Sequence, residues 1–503
     1  MNARAVMVLG TTSGAGKSWL TTALCRWYAR QGLKVAPFKA QNMSNNARVV
    51  PGLEGQLGEI GSAQYFQALA AGITPDVRMN PVLLKPEKDT ASQVVVMGQV
   101  RPDYSRMPWR SRSEVLWPHA RQALHSLMAD HDVVVIEGAG SPAEINLHDN
   151  DFVNMRTALA AQARCLLVTD IDRGGAFAHL FGTWQLLPAH ERALIQGFVL
   201  NRFRGDASLL APGPQQLQAM TGVPTVAVLP MWRGHGLPEE DGVFDDAPTG
   251  PASGEAATLR IAVVAYPRIS NLDEFQPLRG MPHVRLSWVR HPSQLADVDG
   301  VILPGSKHTV SDLAWLRETG LAAAIQAHAG AGRWVLGICG GLQMLGRSVA
   351  DPHGVEADAG TEVAGLGLLD VHTRYGLDKQ LRQTQASFAT PQALRTEGPV
   401  PAPWSGWADV RVQGYEIRHG RTEATSPHAV PALIDAQGHC LGWRQGPVMG
   451  LYLHGLFEAP PLMQAWFGAQ ARGLPQVMDG LADFVDRHFE SGTLAKLIDR
   501  PTP

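Results

Sequence analysis

The feature that most constrains the fold lies near the start of the chain, where an apolar strand leads into a glycine-rich loop and then into a helix. Residues 5–9 read AVMVL, the loop at 10–18 reads GTTSGAGKS, and the helix-forming stretch WLTTALCRWYARQ follows. In that order, the backbone N–H groups of the loop and the positive end of the helix can hold a polyphosphate. The sequence therefore predicts a nucleotide-binding loop, made of Gly10, Thr11, Gly14, Gly16, Lys17 and Ser18.

The last two residues of this loop have distinct predicted roles. Lys17 is expected to neutralise the β- and γ-phosphate oxygens of ATP, and Ser18 to ligate Mg²⁺. The loop departs from the common spacing, because five residues instead of four separate Gly10 from Gly16. A flexible Gly/Ser turn is the alternative, and the position of Gly-Lys-Ser between a strand and a helix argues against it.

Short apolar runs alternate with longer helix-forming stretches along the whole chain, which is typical of doubly wound α/β domains. The clearest predicted strands cover residues 5–9, 133–136, 165–169, 261–265, 300–303 and 334–338. From 233 to 258 the composition shifts to Gly, Pro, Asp and Glu, which indicates a linker. We therefore predict a P-loop NTPase-like parallel-sheet domain over 1–235, a linker over 236–258, and a second, flavodoxin-like α/β domain over 259–503 with a C-terminal helical tail.

Bulk composition excludes several classes of partner. The 503 residues are 45% hydrophobic and 18% charged, with a formal net charge of -3, so there is no broad basic field for nucleic acid or anionic lipid. The four cysteines are scattered singly, which argues against a disulfide framework or structural zinc. No signal-peptide pattern or bilayer-spanning apolar run is present in the sequence. We expect a cytoplasmic protein that binds neither nucleic acid nor membrane, and homo-oligomerisation is left open.

Polar residues at the ends of predicted strands mark the expected ligand edge of the first sheet. Lys39 ends the strand GLKVAPFKA, and Gln41 and Asn42 follow it. We predict that they contact a phosphate or a substrate carboxylate, and a solvated surface lysine is the alternative for Lys39. Glu137 ends the buried run HDVVVI and precedes GAGSPAEINL. An acid in that place is suited to hold Mg²⁺ together with Ser18, and a turn or helix cap is the alternative.

A third strand end carries both signs of charge. The run CLLVTDIDRGGAFA places Asp170, Asp172 and Arg173 after a buried strand. The carboxylates can orient metal or nucleotide, and the arginine can pair with an anion. Structural capping is an equally good interpretation of such a cluster.

A second reaction centre is predicted in GRWVLGICGGLQMLG, which has the strand, sharp turn and helix of a nucleophile elbow with a thiol at Cys339. The following helix N-terminus favours a thiolate. The backbone N–H of Gly340 is the expected oxyanion donor. A second donor is expected from the PGSK loop, at Gly305 or Ser306.

The general base must be a histidine, and His454 at the end of VMGLYLHG is the candidate that we favour. His419, in QGYEIRHGRTE, is the main competitor. We expect Glu416 and His419 to shape the domain interface instead.

Taken together, GTTSGAGKS, FKAQNMSNNA, EGAGSPAEINL, VTDIDRGGAFA, LPGSKHT, GICGGLQMLG, GYEIRHG and YLHGLF resemble the cobyric acid synthases over nearly the whole chain. This resemblance implies an ATP-dependent synthetase domain followed by a class I-type glutaminase domain. It implies amidation of four peripheral carboxylates (b, d, e and g) of adenosylcobyrinic acid a,c-diamide to give adenosylcobyric acid. By the same resemblance, ATP with Mg²⁺ is expected to activate each carboxylate and glutamine to supply ammonia, with Cys339 as the nucleophile and His454 as its base. No protein-bound cofactor is expected.

Two departures from related enzymes leave questions open. Class I glutaminases usually carry HxE at the catalytic histidine, but here His454 is followed by Gly455 and Leu456, so the group that orients the imidazole is left open among backbone, water and Glu416. The aspartate-containing segment after the second strand of related synthetases is replaced by Gln41 and Asn42, which leaves the full Mg²⁺ shell undefined.

Two alternative functions accompany this interpretation. A cobyrinic acid a,c-diamide synthase would perform the same chemistry on different carboxylates, and QNMSNNA argues against it. A P-loop ATPase switch with a silent glutaminase-like domain would not need the elbow at Cys339.

Overall fold

The computed structural model describes residues 3–88, 91–238, 259–281, 283–390, 402–468 and 473–499. It divides into two compact units. The first unit consists of Met1–Ser44, Val50–Leu237 and Leu474–Pro503, and the second of Asn45–Val49 and Pro238–Gly473. Of the predicted linker, residues 239–258 lie outside the described part of the chain.

The first unit is built on a six-stranded, wholly parallel sheet with the order β12-β11-β10-β1-β9-β2. A smaller sheet has the order β3-β6-β7-β8. The strands in this part of the chain, of which β4 crosses the boundary between the units, are β1 (Arg4–Gly10), β2 (Val35–Phe38), β3 (Gln41–Met43), β4 (Ala47–Pro51), β5 (Leu57–Gly61), β6 (Val82–Lys88), β7 (Ala91–Val96), β8 (Gln99–Val100), β9 (Val133–Glu137), β10 (Arg164–Asp170), β11 (Ile195–Phe203) and β12 (Thr225–Pro230).

Both faces of the six-stranded sheet are buried, as the continuous apolar runs predict. Along β1, Met7 and Leu9 belong to one buried cluster, whereas Val6 and Val8 belong to another on the opposite face. The first part of the chain supplies the helices α1 (Lys17–Arg30), α2 (Ser62–Ala71), α3 (Pro102–Ser105), α4 (Trp109–Asp130), α5 (Met155–Ala161), α6 (Ala176–Leu186), α7 (Ala189–Arg192) and α8 (Gly213–Thr221). The predicted doubly wound α/β architecture is therefore confirmed for this unit.

The second unit has an eleven-stranded sheet that begins with the parallel order β15-β13-β16-β18-β25 and continues through β24, β23, β21, β19 and β20, with β22 paired to β21. The strands β14 and β17 form a separate two-stranded sheet. The strands of this unit are β13 (Leu259–Val264), β14 (Ile269–Ser270), β15 (Val284–Val289), β16 (Gly300–Leu303), β17 (Gly305–Ser306), β18 (Trp334–Ile338), β19 (Ser348–Asp351), β20 (Thr361–Ala364), β21 (Val371–Phe388), β22 (Arg411–Ala424), β23 (Val430–Asp435), β24 (Cys440–Gln445) and β25 (Val448–Leu451). Its helices are α9 (Gln276–Arg279), α10 (Thr309–Glu318), α11 (Leu321–Gly330), α12 (Gly340–Leu345) and α13 (Pro460–Phe467). The parallel half confirms the predicted α/β class, and the long antiparallel pair β21 and β22 extends it.

The C-terminal tail, α14 (Leu474–His488) and α15 (Thr493–Lys496), belongs to the first unit. Helix α14 packs on α1, where Arg26 forms an ion pair with Asp479 at 2.8 Å. The Tyr28 hydroxyl donates to the Leu494 carbonyl at 2.8 Å. The sequence places this tail with the second domain because it follows that domain in the chain. Its apolar face is buried in the core of the first unit instead.

Within the described residues, no helix is both long enough and apolar enough to cross a membrane.

Candidate active sites

The predicted phosphate loop lies between β1 and α1, at the carboxyl edge of the parallel sheet. Gly16 has a φ of 102°, and a side chain there would collide with Asn201 of β11. Asn201 also donates to the Ala15 carbonyl at 2.8 Å, so β11 fixes the loop from the side. Lys17 Nζ donates to the carbonyl oxygens of Thr12 and Gly140, at 2.9 and 3.1 Å. These contacts fold the lysine over the loop that is expected to hold phosphate.

Glu137 joins the phosphate loop to the other predicted site residues. Ser18 Oγ donates to Glu137 Oε1 at 2.9 Å, and Lys39 Nζ lies 2.8 Å from the same oxygen. Gln67 of α2 donates to Oε2 at 2.5 Å. Burial raises the pKa of Glu137, but Lys39 and the hydrogen bonds from Gln67 and Ser18 outweigh it and hold the pKa below its usual value. The carboxylate is therefore kept ionised in a buried setting.

Asn42 extends this cluster, whereas Gln41 lies beside it. Asn42 is buried, and its side-chain amide lies 3.4 Å from Gln64, which in turn lies 3.5 Å from Glu137. Gln41 is half-buried in β3 and pairs with Val82. The sequence did not indicate Gln64 and Gln67, because their apolar neighbours in α2 resemble any helix of a core.

Two arginines that the sequence did not indicate pair with the predicted acids at the end of β10. Asp170 Oδ2 accepts from Arg202 at 2.9 Å and lies 3.4 Å from Arg173. Asp172 pairs with Arg204. Near this strand end, the Thr11 hydroxyl of the phosphate loop donates to that of Thr169 at 2.9 Å. Further polar side chains near the P-loop thus come from the ends of β10 and β11.

The residues fit a Mg²⁺ ion held jointly with nucleotide phosphates. Ser18 and the ionised Glu137 are in contact, and a hydroxyl and a carboxylate are the oxygen ligands that Mg²⁺ takes beside phosphate. Within the described residues, no group of three or more His, Cys, Asp or Glu side chains is placed to hold a metal by itself. Such a group is not required where phosphates supply the remaining ligands.

In the second unit, Cys339 stands at the turn between β18 and α12. Its backbone has φ 52° and ψ −105°, a strained conformation that is characteristic of a nucleophile elbow. A side chain at Gly341 would collide with the Leu303 carbonyl, so the turn can pack this closely only with glycine there. Cys339 is 7% exposed, and its Sγ lies 3.7 Å from the Ile417 carbonyl oxygen.

His454 interacts with this thiol, and Glu274 interacts with His454. The Nδ1 atom of His454 lies 3.3 and 3.4 Å from the two Glu274 carboxylate oxygens, and Gly455 N–H donates to Glu274 at 3.3 Å. Burial lowers the pKa of His454, but the Glu274 carboxylate and a hydrogen bond and charge interaction with Cys339 raise it overall to about 10. With Nδ1 facing Glu274, Nε2 is the nitrogen left to exchange a proton with the sulfur.

The group that orients His454 is therefore Glu274, which the sequence did not indicate. Glu416 instead accepts from Arg418 at 2.8 Å and from Thr384 at 3.1 Å. His419 faces the Gly376 carbonyl at 3.2 Å. The sequence offered only the run NLDEF after a predicted strand. This run holds two acids, and nothing in it shows which of them faces His454.

The expected oxyanion loop lies close to His454 and to Gly340, the residue that follows Cys339. A Cβ on Gly305 would lie 3.0 Å from His454 Cε1, and one on Gly340 would lie 2.8 Å from the Ser306 backbone nitrogen. Ser306 Oγ donates to Asp312 at 2.6 Å, which ties this loop to α10. Gly305 and Gly340 thus stand beside the elbow as predicted from the sequence. Which N–H groups meet an oxyanion stays a prediction.

A phosphate loop with a buried, ionised carboxylate in one unit and a Cys-His-Glu arrangement at an elbow in the other define an ATP-dependent glutamine amidotransferase. Comparison with known protein families supports this class of enzyme. The CobQ/CobB/MinD/ParA nucleotide binding domain matches residues 6–233, and the CobB/CobQ-like glutamine amidotransferase domain matches residues 260–462.

Full-length relatives narrow this class. The chain is 67% identical to a cobyric acid synthase of Methylibium petroleiphilum and 65% identical to one of Leptothrix cholodnii, in each case over 100% of this chain and 98% of the relative. It is 62% identical to one of Variovorax paradoxus over 99% of this chain and 100% of the relative. The chain belongs to the cobyric acid synthase family, which confirms the resemblance and an amide-forming ligase function in cobalamin biosynthesis. Both alternative functions are thereby disfavoured.

Glu274→Gln is expected to lower the glutaminase kcat by about 10²-fold, a typical contribution of positioned acid-base catalysis. Because the carboxylate favours the imidazolium, its removal should lower the pKa of His454. The imidazolium would then lose its proton at lower pH, so the alkaline limb of glutamate release should shift to lower pH. A pH series of glutamate release from glutamine measures both effects.

Glu416→Gln is the matched control, since it neutralises another fully buried acid of the same unit. Its alkaline limb should stay at the wild-type position. A shifted limb in Glu416→Gln together with an unshifted one in Glu274→Gln would reverse the assignment.

Proposed function

We propose that this protein converts adenosylcobyrinic acid a,c-diamide to adenosylcobyric acid by amidating the b, d, e and g carboxylates, using one ATP and one glutamine for each. The observation that carries this proposal is the identity of 67% with a cobyric acid synthase over the whole chain. The chemistry of the two candidate sites supports it. The substrates are ATP, glutamine and the adenosylated corrinoid, and this chemistry needs no resident organic cofactor.

We assign carboxylate activation to the first unit. A carboxylate is a poor electrophile, so its oxygen attacks the γ-phosphorus of ATP, the bond to the β-phosphate oxygen breaks, and an acyl phosphate and ADP result. Lys17 is placed to stabilise the charge that develops on the transferring group. Ammonia then attacks the acyl carbon, phosphate leaves, and the amide forms. Lys39, Asn42, Asp170 and Arg173 are the proposed contacts to substrate or phosphate, with Gln41 and Asp172 beside them.

Ser18 and Glu137 would hold Mg²⁺, which when bound neutralises phosphate charge. The hydrogen bond between these two side chains supports this assignment, and so does the low pKa of Glu137. Because Lys39 is bonded to the same carboxylate, it also lies within reach of the ligand edge of the sheet.

We assign glutamine hydrolysis to the second unit. The Cys339 thiolate attacks the amide carbon of glutamine, and His454 gives its proton to the departing nitrogen, so that ammonia leaves and a thioester remains. Water then attacks the thioester carbon while the now neutral His454 takes one of its protons. The carbon–sulfur bond breaks, the product leaves as glutamic acid, which loses its proton to solvent, and the Cys339 thiolate and the charged His454 are restored. Glu274 holds the imidazole in position and favours its charged form during the first step. Gly340 and Gly305 are the proposed oxyanion donors.

Mass spectrometry of the corrinoid products tests this proposal. Each amidation replaces a hydroxyl by an amino group, so each shifts the mass by the same small step. With adenosylcobyrinic acid a,c-diamide, ATP, Mg²⁺ and glutamine, we expect four successive steps that end at adenosylcobyric acid. Omitting ATP should leave the substrate unchanged. A final product with fewer than four added amides, although ATP is still supplied in excess, would contradict the proposed reaction. Amidation of only the precursor that lacks the a and c amides would contradict the proposed substrate.

A further inference from the structure

One buried arginine of the second unit has no role in the chemistry described above. Arg48 lies in the segment Asn45–Val49, which belongs to the glutaminase unit although Ser44 and Val50, on either side of it, belong to the first unit. Its side chain is 2% exposed. A fully buried guanidinium needs several hydrogen-bond and charge partners, because burial removes its favourable interactions with water.

The partners of Arg48 are two carboxylates that flank the candidate catalytic residues. Its Nε donates to Asp273 at 3.0 Å, and Nη2 contacts the same carboxylate. Nη2 also donates to Glu458 at 2.6 Å. Asp273 directly precedes Glu274 in the turn Leu272–Phe275, and Glu458 ends the turn Leu456–Glu458 that follows His454. One guanidinium thus joins the turn that carries Glu274 to the turn that follows His454.

A third contact reaches the histidine through an aromatic ring. The Arg48 guanidinium carbon lies 5.0 Å from the centre of the Tyr415 ring, within cation–π range. The Tyr415 ring in turn stacks on His454, with 5.4 Å between ring centres and an interplanar angle of 23°. Tyr415 and His454 also exchange two backbone hydrogen bonds, at 2.9 and 3.2 Å.

The backbone of the segment is held to the same turn by two asparagines. Ala47 N–H donates to the Asn271 side chain at 3.2 Å, and Leu272 N–H donates to the Asn46 side chain at 2.9 Å. Because these bonds fix the segment beside the turn, the Arg48 side chain projects from an anchored backbone. Contacts of this kind restrict the turn that carries Glu274.

Charge gives Arg48 a second effect on Glu274. Burial raises the pKa of Glu274 above its usual value, and the neighbouring Asp273 carboxylate adds to this rise, while His454 and the Gly455 N–H only partly offset it. Arg48 neutralises the Asp273 carboxylate at close range. Without that compensation, repulsion between two adjacent buried acids would favour the protonated Glu274, which cannot stabilise a charged His454.

We propose that Arg48 is a positioning residue of the glutaminase, which holds Glu274 and His454 in register with Cys339 through Asp273, Glu458 and Tyr415. The proposal rests on the proposed function of Cys339 and His454 in glutamine hydrolysis. It makes the glutaminase dependent on a side chain that the QNMSNNAR run contributes from within the first half of the sequence.

The first test is Arg48→Lys, which keeps the positive charge but removes the planar group that reaches two carboxylates and an aromatic ring together. We expect the kcat of glutamate release to fall about tenfold or more, because even a small displacement of catalytic groups lowers the reaction rate strongly. The KM for glutamine should change little. The alkaline limb of the pH profile should move to lower pH, as in Glu274→Gln, and amidation supported by ammonia should keep its wild-type rate.

Asp273→Asn is the second variant, since it preserves size and changes the partner instead of the arginine. It should lower kcat in the same direction, and the double variant Arg48→Lys/Asp273→Asn should lose less than the product of the two single effects. Arg347→Lys is the control, because Arg347 pairs with Asp370 elsewhere in the same unit. It should leave kcat and the pH profile unchanged.

Two results would overturn the proposal. One is a wild-type kcat and pH profile in both Arg48→Lys and Asp273→Asn. The other is a parallel fall of glutamine-supported and ammonia-supported amidation in both variants, which would make Arg48 structural only. In the first case normal ammonia-supported amidation by the variants, and in the second case normal amidation by the wild-type protein, would leave the proposed overall reaction intact, so the two proposals fail separately.

Discussion

Replacing Cys339 with serine is expected to abolish amidation supported by glutamine and to leave amidation supported by ammonia. In the proposed mechanism the sulfur is the attacking atom, and a serine hydroxyl does not ionise near neutral pH even beside His454 and Glu274. Loss of such a nucleophile should lower the glutamine-supported rate by roughly 10³-fold or more. Parallel assays of corrinoid amidation with glutamine and with ammonium chloride, at equal protein concentration, measure the contrast.

Cys440→Ser is the matched control, because Cys440 is the other cysteine of the same unit and its sulfur faces the Gly442 carbonyl at 3.1 Å. Both assays should give wild-type rates for that variant. Normal use of glutamine by Cys339→Ser protein would show that the nucleophile is another group. A loss of ammonia-supported activity in Cys339→Ser would show that the thiol does more than release ammonia.

The elbow at Cys339 could be predicted from the sequence because its determinants are local. A buried strand, glycines on both sides of the cysteine and a following helix occupy consecutive positions, and β18 and α12 form around them as expected. The same holds for the phosphate loop between β1 and α1. Strand-end placement also predicted that Lys39 and Glu137 face the ligand edge, where they form an ion pair.

Glu274 could not be predicted in the same way, because it lies 180 residues from His454 in sequence. Nothing local distinguishes an acid that turns into the core from one that caps a surface turn. The usual HxE spacing places the orienting acid two residues after the histidine, and here that position is Leu456. The carboxylate is supplied instead by the turn that follows β14.

The assignment of segments to units also depended on contacts that no pattern reveals. The tail helix α14 is amphipathic and follows the second domain in the chain, yet its apolar face belongs to the core of the first unit. The segment Asn45–Val49 shows the reverse case, because it lies within the first half of the sequence and belongs to the second unit. The polar run QNMSNNAR has no hydrophobic periodicity, so the sequence did not indicate that Arg48 is buried in the second unit.

Lys17 stands apart from the glutaminase residues, because acyl phosphate formation should depend on it whichever nitrogen source is used. Its ammonium group donates to two backbone carbonyls that frame the loop, those of Thr12 and Gly140. It begins helix α1, so the helix N-terminus and the lysine present positive charge at the same place. A developing negative charge on the transferring phosphoryl group would be stabilised by both.

Lys17→Ala is therefore expected to lower glutamine-supported and ammonia-supported amidation together, each by about 10² to 10³-fold, the effect of removing one positioned donor to a developing charge. Lys34→Ala is the control, since Lys34 is an exposed lysine of the same unit, and it should keep both rates. Rates of ATP consumption with the corrinoid and ammonium chloride measure the effect without any contribution from Cys339, and thermal unfolding checks that both variants are folded. An unchanged ammonia-supported rate in folded Lys17→Ala protein would contradict the P-loop assignment, because phosphoryl transfer would then proceed without its expected cation.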